Sequence, residues 1–135
     1  MKRFLIILIA IACCFLFIGA ERREPRRETI DFEGQGFQKM SATAYCMGEV
    51  TANGSKVHEG GCAASKEHLG QVAIVYTEEG EFLGYYECND TGGTEGLNNG
   101  YVIDIYRSDI DRCQELMETI GKEQKVWVLW VEGVG

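Results

Sequence analysis

The chain has 135 residues, a formal net charge of −8 and six cysteines, and 45% of its residues are hydrophobic. Met1 to Lys39 carry seven basic against five acidic residues, which leaves Met40 to Gly135 with six against sixteen and a net charge of −10. A folded part this acidic excludes nucleic acid as a partner, because affinity for phosphate backbones comes from Lys and Arg displacing counterions, and roughly 95 residues are enough for one compact domain and no more.

Lys2 and Arg3 precede an uncharged, almost wholly apolar run from Phe4 to Ala20, the pattern of an export segment. As a helix, such a run reaches about 25 Å, the short end of what spans a hydrocarbon core. Ile18, Gly19 and Ala20 offer a small-residue cleavage site, whereas the length of the run favours a retained anchor. A lipid-modified Cys13 is a third alternative, against Cys13 and Cys14 being apolar positions of a membrane helix. Glu21 to Glu28 reads ERREPRRE and is followed by Gly34 and Gly36, a charged tether whose arginines suit anionic lipid headgroups. Residues 1–20 thus read as signal peptide or membrane anchor, 21–39 as flexible linker and 40–132 as the folded domain. The expected location is exported, anchored at the outer face of the cytoplasmic membrane or secreted.

Within the domain, Ser41 to Tyr45 alternates small or polar with apolar residues, and Gln71 to Tyr76 and Phe82 to Cys88 are rich in β-branched and aromatic residues. These read as strands, the last two joined at Glu79 and Gly80. Tyr101 to Tyr106 and Lys125 to Val131 follow as further strands, the final one apolar on both faces and so expected to be buried on both. Ile110, Cys113, Leu116, Met117 and Ile120 recur at helical spacing, with Ser108 and Asp111 matching a capping box and Gly121 at the end. Short strands with one helix indicate a mainly β fold, a compact barrel.

Cys46, Cys62, Cys88 and Cys113 lie in the domain. Two disulfides, with three conceivable pairings, compete with four buried thiols. Their spacing fits no zinc ligand pattern, His58 and His68 read as surface residues, and nothing calls for a metal or cofactor.

The chemistry concentrates where Asp90 opens the run Asp90-Thr91-Gly92-Gly93 and Asp104 interrupts the apolar strand Val102-Ile103-Asp104-Ile105. Period two puts Asp104 on the face opposite Ile103 and Ile105. A carboxylate in such a strand needs a partner or a task, since burying it alone costs several kcal/mol. If the two carboxyls meet, each disfavours ionisation of the other, and a proton donor near neutral pH results. The plainer alternative has Asp90 starting a turn and Asp104 anchoring a loop. Of the tyrosines, Tyr45, Tyr85, Tyr86, Tyr101 and Tyr106 read mostly as strand-packing residues, with one or two left to stack on a ligand.

Ala42-Thr43-Ala44-Tyr45, Thr51-Ala52-Asn53-Gly54, Asp90-Thr91-Gly92-Gly93 and Ile103-Asp104-Ile105-Tyr106 follow one another in an order that resembles the bacterial 3D (three-aspartate) domain family. That family shares a double-psi β-barrel with the catalytic domain of membrane-bound lytic transglycosylase A. The resemblance implies six strands and a peptidoglycan glycan strand as partner. It also implies a lytic transglycosylase reaction giving 1,6-anhydro products, with Asp90 as acid and then base and Asp104 as its neighbour. Thr91, Gly92, Gly93 and Tyr45 would meet the sugar. A non-catalytic wall-binding module is the alternative. Where the family has its first aspartate this chain reads Cys62-Ala63-Ala64-Ser65-Lys66, with Glu67 the nearest carboxylate.

Overall fold

The computed structural model describes residues 28–133. The export segment at 1–20 and the first part of the linker lie outside the described residues; among those described, no helix is long and apolar enough to cross a membrane. Six strands close into a barrel: β1 (Gln38–Tyr45), β2 (Gly61–Ala64), β3 (Gln71–Thr77), β4 (Phe82–Thr91), β5 (Val102–Tyr106) and β6 (Lys125–Glu132). Round the barrel the order is β1-β5-β2-β4-β3-β6. Two neighbouring pairs, β1 with β5 and β2 with β4, run parallel, and the other four pairings are antiparallel.

Alternation explains why these segments are strands. Met40 and Ala42 on β1, Ile103 and Ile105 on β5, and Val126 and Val128 on β6 all point inward and are essentially inaccessible. Each such Ile or Val contributes about 1.5–3 kcal/mol on burial. The residues between them face outward, among them Thr43, Tyr45, Asp104 and Tyr106. Asp104 therefore sits on the outer face, opposite Ile103 and Ile105, as its place in the strand predicts.

Several expectations need correction. β2 was not evident from residue pattern, because Gly61-Cys62-Ala63-Ala64 holds no β-branched or aromatic residue; it forms because β4 and β5 pair with it on both sides. β6 is buried on one face only: Val126 and Val128 fill the barrel, whereas outward Trp127 is half-buried beneath Phe32, the two rings stacked at 5.4 Å. Phe32 belongs to the segment read as linker, yet it is 7% exposed.

Among the described residues two α-helices decorate the barrel, α1 (Glu95–Asn98) and α2 (Ile110–Ile120), besides a single 3₁₀ turn at Lys66–His68. α2 sets Leu116 and Ile120 into the core, the periodic face read in the sequence. Its N-cap is Asp109 rather than Ser108: the Asp109 carboxylate accepts from the Arg112 amide at 2.9 Å. Ser108 is committed elsewhere, its amide donating to Glu59 Oε1 at 2.6 Å. Gly121 ends the helix at φ 93°, a conformation that suits glycine. At the hairpin between β3 and β4, Gly80 takes φ 94° and donates its amide to the Thr77 carbonyl, matching the expected turn.

Candidate functional site

Register brings the two aspartates into one row. Thr43 on β1 is the partner of Asp104 on β5, Asp104 is the partner of Ala63 on β2, and Ala63 is the partner of Asp90 on β4. Adjacent strands lie about 4.8 Å apart, so the two aspartate Cα atoms are roughly 10 Å apart with only a methyl group between them.

Asp90 reaches this face because of a bulge. Tyr86 and Cys88 point inward, and strict alternation would send Asp90 inward as well. The register shifts between Cys62 and Ala63, however: Cys62 pairs with Cys88 and Ala63 with Asp90, leaving Asn89 as an extra residue. One inserted residue reverses the facing of everything after it. Asn89 itself is buried at 1% exposure, its carbonyl accepting from the Asn53 amide.

The loop after β1 completes the Asp90 end. Asn53 Oδ1 accepts from the Thr51 hydroxyl at 2.7 Å and from both the amide and the hydroxyl of Ser55, so Thr51 to Ser55 forms a tight turn. This turn aims the Ala52 amide at Asp90 Oδ1, 2.9 Å away, and the Thr91 amide donates to the same oxygen at 2.9 Å. At the other end, the Thr43 hydroxyl donates to Asp104 Oδ1 at 2.8 Å. Among the described residues no protein group donates to Oδ2 of either aspartate.

Burial pushes the Asp104 carboxyl above its ordinary range; the Thr43 hydrogen bond opposes the rise and the charge of Asp90 adds to it. Tyr45 follows Thr43 on the same face, its ring 5.4 Å from that of Tyr106 and edge-on to it. Burial first, then the charges of Asp90 and Asp104, raise its phenol well above the usual value, so the hydroxyl stays protonated. That buried hydroxyl has no hydrogen-bond partner among the described residues.

The other expected site residues are distributed unevenly. Thr91 lends its backbone to Asp90. Gly92 makes room for a neighbour: a side chain there would collide with Leu97 of α1, which packs against it. Gly93 faces open space. Ser65 is buried at 4% and donates to Glu67 Oε1 at 3.2 Å. Glu67, whose side chain is 74% exposed, turns to His68 at 3.6 Å, and no contact with Asp90 or Asp104 involves it. Of the tyrosines, Tyr86 is buried, Tyr85 and Tyr101 are exposed, and only Tyr45 and Tyr106 flank the carboxylates. His58 is exposed, whereas His68 is stacked on Trp130 at 4.1 Å with a side chain only 16% exposed, so it packs rather than lying free at the surface. No group of three His, Cys, Asp or Glu is arranged to hold a metal among the described residues.

Thr43, Ala52 and Ala63 stand in the quoted motifs but were given no role of their own. Thr43 carried a signal, since it stands two residues before Tyr45 and so shares its face. The roles of Ala52 and Ala63 are not legible from residue type, because their contributions are a backbone amide and a small volume.

All four cysteines of the described region are free thiols. Cys62 lies opposite Cys88 in the β2–β4 register, and burial raises the Cys113 thiol with a further contribution from the neighbouring Cys46.

Comparison with family models, with curated proteins and with solved structures gives no match for this chain. What is established is the closed six-stranded, mainly β barrel with few helices.

Proposed function

We propose that this barrel is a double-psi barrel of the 3D type, acting on peptidoglycan glycan strands as a lytic transglycosylase at the outer side of the cytoplasmic membrane. The observation that carries the reading is the row Thr43-Asp104-Ala63-Asp90: two carboxylates on one outward face, separated by a methyl group and each with an oxygen free of protein donors. Cleaving a glycosidic bond needs an acid for the leaving oxygen and a base for the attacking hydroxyl.

The motif resemblance gives Asp90 both roles. The geometry supports a division of labour instead. Asp104, raised by burial and by its neighbour, holds a proton more readily than an ordinary carboxyl and donates it to the oxygen between N-acetylmuramic acid and N-acetylglucosamine. Asp90, fixed by two amides through Oδ1, accepts a proton on Oδ2 from the muramic acid 6-hydroxyl as that oxygen attacks the anomeric carbon. The C–O bond to the leaving sugar breaks as the 1,6-anhydro bond forms. No water is consumed, and passage of the proton from Asp90 back to Asp104 resets the pair. The nucleophile already belongs to the substrate, so no second molecule has to be positioned. Tyr45 offers a neutral hydroxyl and, with Tyr106, an aromatic wall beside the row.

Purified sacculi incubated with the full-length protein should release anhydro-muropeptides detectable by mass spectrometry, and Asp90→Asn and Asp104→Asn should each lower release by about 10²–10⁴-fold. Intact sacculi under the wild-type protein would sink the catalytic reading.

One observation favours a second reading, a wall-binding module without chemistry. Ser65 and Glu67 do not supply a third carboxylate to the row, since Glu67 is held by Ser65 and His68. Sedimentation with sacculi that persists in Asp90→Asn, with no soluble product from either protein, would select it.

A further inference from the structure

Four cysteines distributed along some seventy residues of chain have been brought together as two separate pairs, and neither pair takes part in the proposed chemistry. Cys62 and Cys88 are directly opposed across the parallel strands β2 and β4, and both are wholly inaccessible. Directly opposed residues on neighbouring strands stand about 4.8 Å apart at Cα, inside the span of about 4.4–6.8 Å that a disulfide bridges. Both side chains point into the barrel, so their Cβ vectors do not diverge. Cys46 directly follows β1, and Cys113 lies on the buried face of α2, which packs against β1. The Cys46 thiol adds to the rise that burial gives the Cys113 thiol, so the two are neighbours.

We infer that the oxidised protein carries two disulfides, Cys46–Cys113 and Cys62–Cys88, which brace the two ends of the carboxylate row. Of the three pairings that the cysteine count allows, this is the one that needs no rearrangement of the barrel. Cys46 is the neighbour of Tyr45, and a bridge to α2 ties down the end of β1. Cys88 immediately precedes the bulged Asn89, and its thiol donates to the Asp90 carbonyl at 3.6 Å. A bridge from Cys88 to Cys62 fastens β4 to β2 beside Ala63, where the facing of Asp90 is decided.

The oxidant is an external disulfide of the glutathione class. Within the inner pair either thiol, once ionised, can attack first. The attacking sulfur forms a mixed disulfide and expels one small thiolate. The other sulfur, losing its proton to solvent, then displaces the second small thiolate, and two electrons have passed to the oxidant. Because neither sulfur is accessible in the closed barrel, this exchange belongs to folding. The outer pair differs, since Cys46 is only partly buried. It stays open to exchange after folding.

The test is to refold the full-length chain in a mixture of oxidised and reduced glutathione, alkylate, digest without reduction and map the linked peptides by mass spectrometry. The expected map contains Cys46–Cys113 and Cys62–Cys88. Crossed pairs among these four residues, or four alkylated thiols in the refolded protein, would overturn the inference. Graded reduction of the folded protein should open Cys46–Cys113 at least about tenfold faster than Cys62–Cys88; the reverse order contradicts the assignment of an inner and an outer bridge. Full reduction should lower Tm by more than about 10 °C, given the length of the loops that the bridges close. An unchanged Tm would equally count against it. The double variant Cys62→Ala/Cys88→Ala should still form Cys46–Cys113, and should it fail to fold, the wild-type map decides the pairing.

Discussion

Asp90 and Asp104 have one neighbour in common: each is the register partner of Ala63, on opposite sides of the four-residue strand β2. They come from different strands and meet only through this residue. Because the intervening side chain is a methyl group, the charge of Asp90 is felt at Asp104 and contributes to the rise of its carboxyl.

That rise has a measurable effect on stability. Asp104 takes up a proton more readily folded than unfolded, so its contribution is fully present below the unfolded value and is lost as pH rises through the folded value. Asp104→Asn removes the titration and retains an oxygen to accept from Thr43. Urea unfolding at neutral pH should show the variant more stable, by no more than about 1 kcal/mol because water screens the half-exposed carboxylate, with the gap closing on acidification. A variant that is less stable at neutral pH would mean that the ionised carboxylate is well compensated.

Tyr45→Phe removes a buried hydroxyl that bonds to nothing among the described residues. Its loss should leave stability within about 0.5 kcal/mol of the parent or raise it, because no hydrogen bond is broken. Under the proposed function, product release from sacculi should nevertheless fall. Equal activity in the two proteins would reduce Tyr45 to a packing residue.

Away from the row, Glu59 ties the loop before β2 to the start of α2. Its carboxylate accepts from the Ser108 amide at 2.6 Å and from Arg107 at 3.0 Å, and it lies 3.5 Å from Arg112. Burial acts to raise Glu59, but the bonds from Ser108 and Arg107 outweigh it and hold the group below the ordinary carboxyl range. The stability it supplies is therefore present above the unfolded value and lost as pH falls through the folded one. Glu59→Gln should cost about 1 kcal/mol near neutrality, a difference that denaturation curves should show vanishing in acid.

Gly92 leaves the space that Leu97 fills. Gly92→Ala should destabilise by about 1–3 kcal/mol through overpacking, and the double variant with Leu97→Ala should cost less than the sum of the two single changes. Strict additivity in thermal melts would show that the two side chains do not compete for the same space.

The sequence made legible whatever depends on alternation. Val102 to Tyr106 announces a strand with Asp104 turned outward, and the apolar spacing from Ile110 to Ile120 announces α2. What escaped depends on partners distant in the chain. Gly61 to Ala64 holds no β-branched or aromatic residue and is a strand only because two others flank it. The facing of Asp90 depends on Asn89 being skipped in the pairing with β2, and no local propensity marks that. Similarly, Ser108 and Asp109 are equally good caps in isolation, and the choice is made by Glu59, some fifty residues earlier. Cysteine pairing was undetermined for the same reason: spacing counts residues, whereas bridging depends on register.

The closed order β1-β5-β2-β4-β3-β6 also bears on the timing of synthesis. β6 is the last strand in sequence and the one that joins β1 to β3. Until Lys125 to Glu132 have emerged, β1 and β3 each present an unpaired edge, and an edge of that kind recruits strands from other chains. A chain in which Lys125 to Glu132 are not yet paired therefore holds nearly all of its core residues and two adhesive margins. Protection of those margins is most needed until these eight residues dock between β1 and β3.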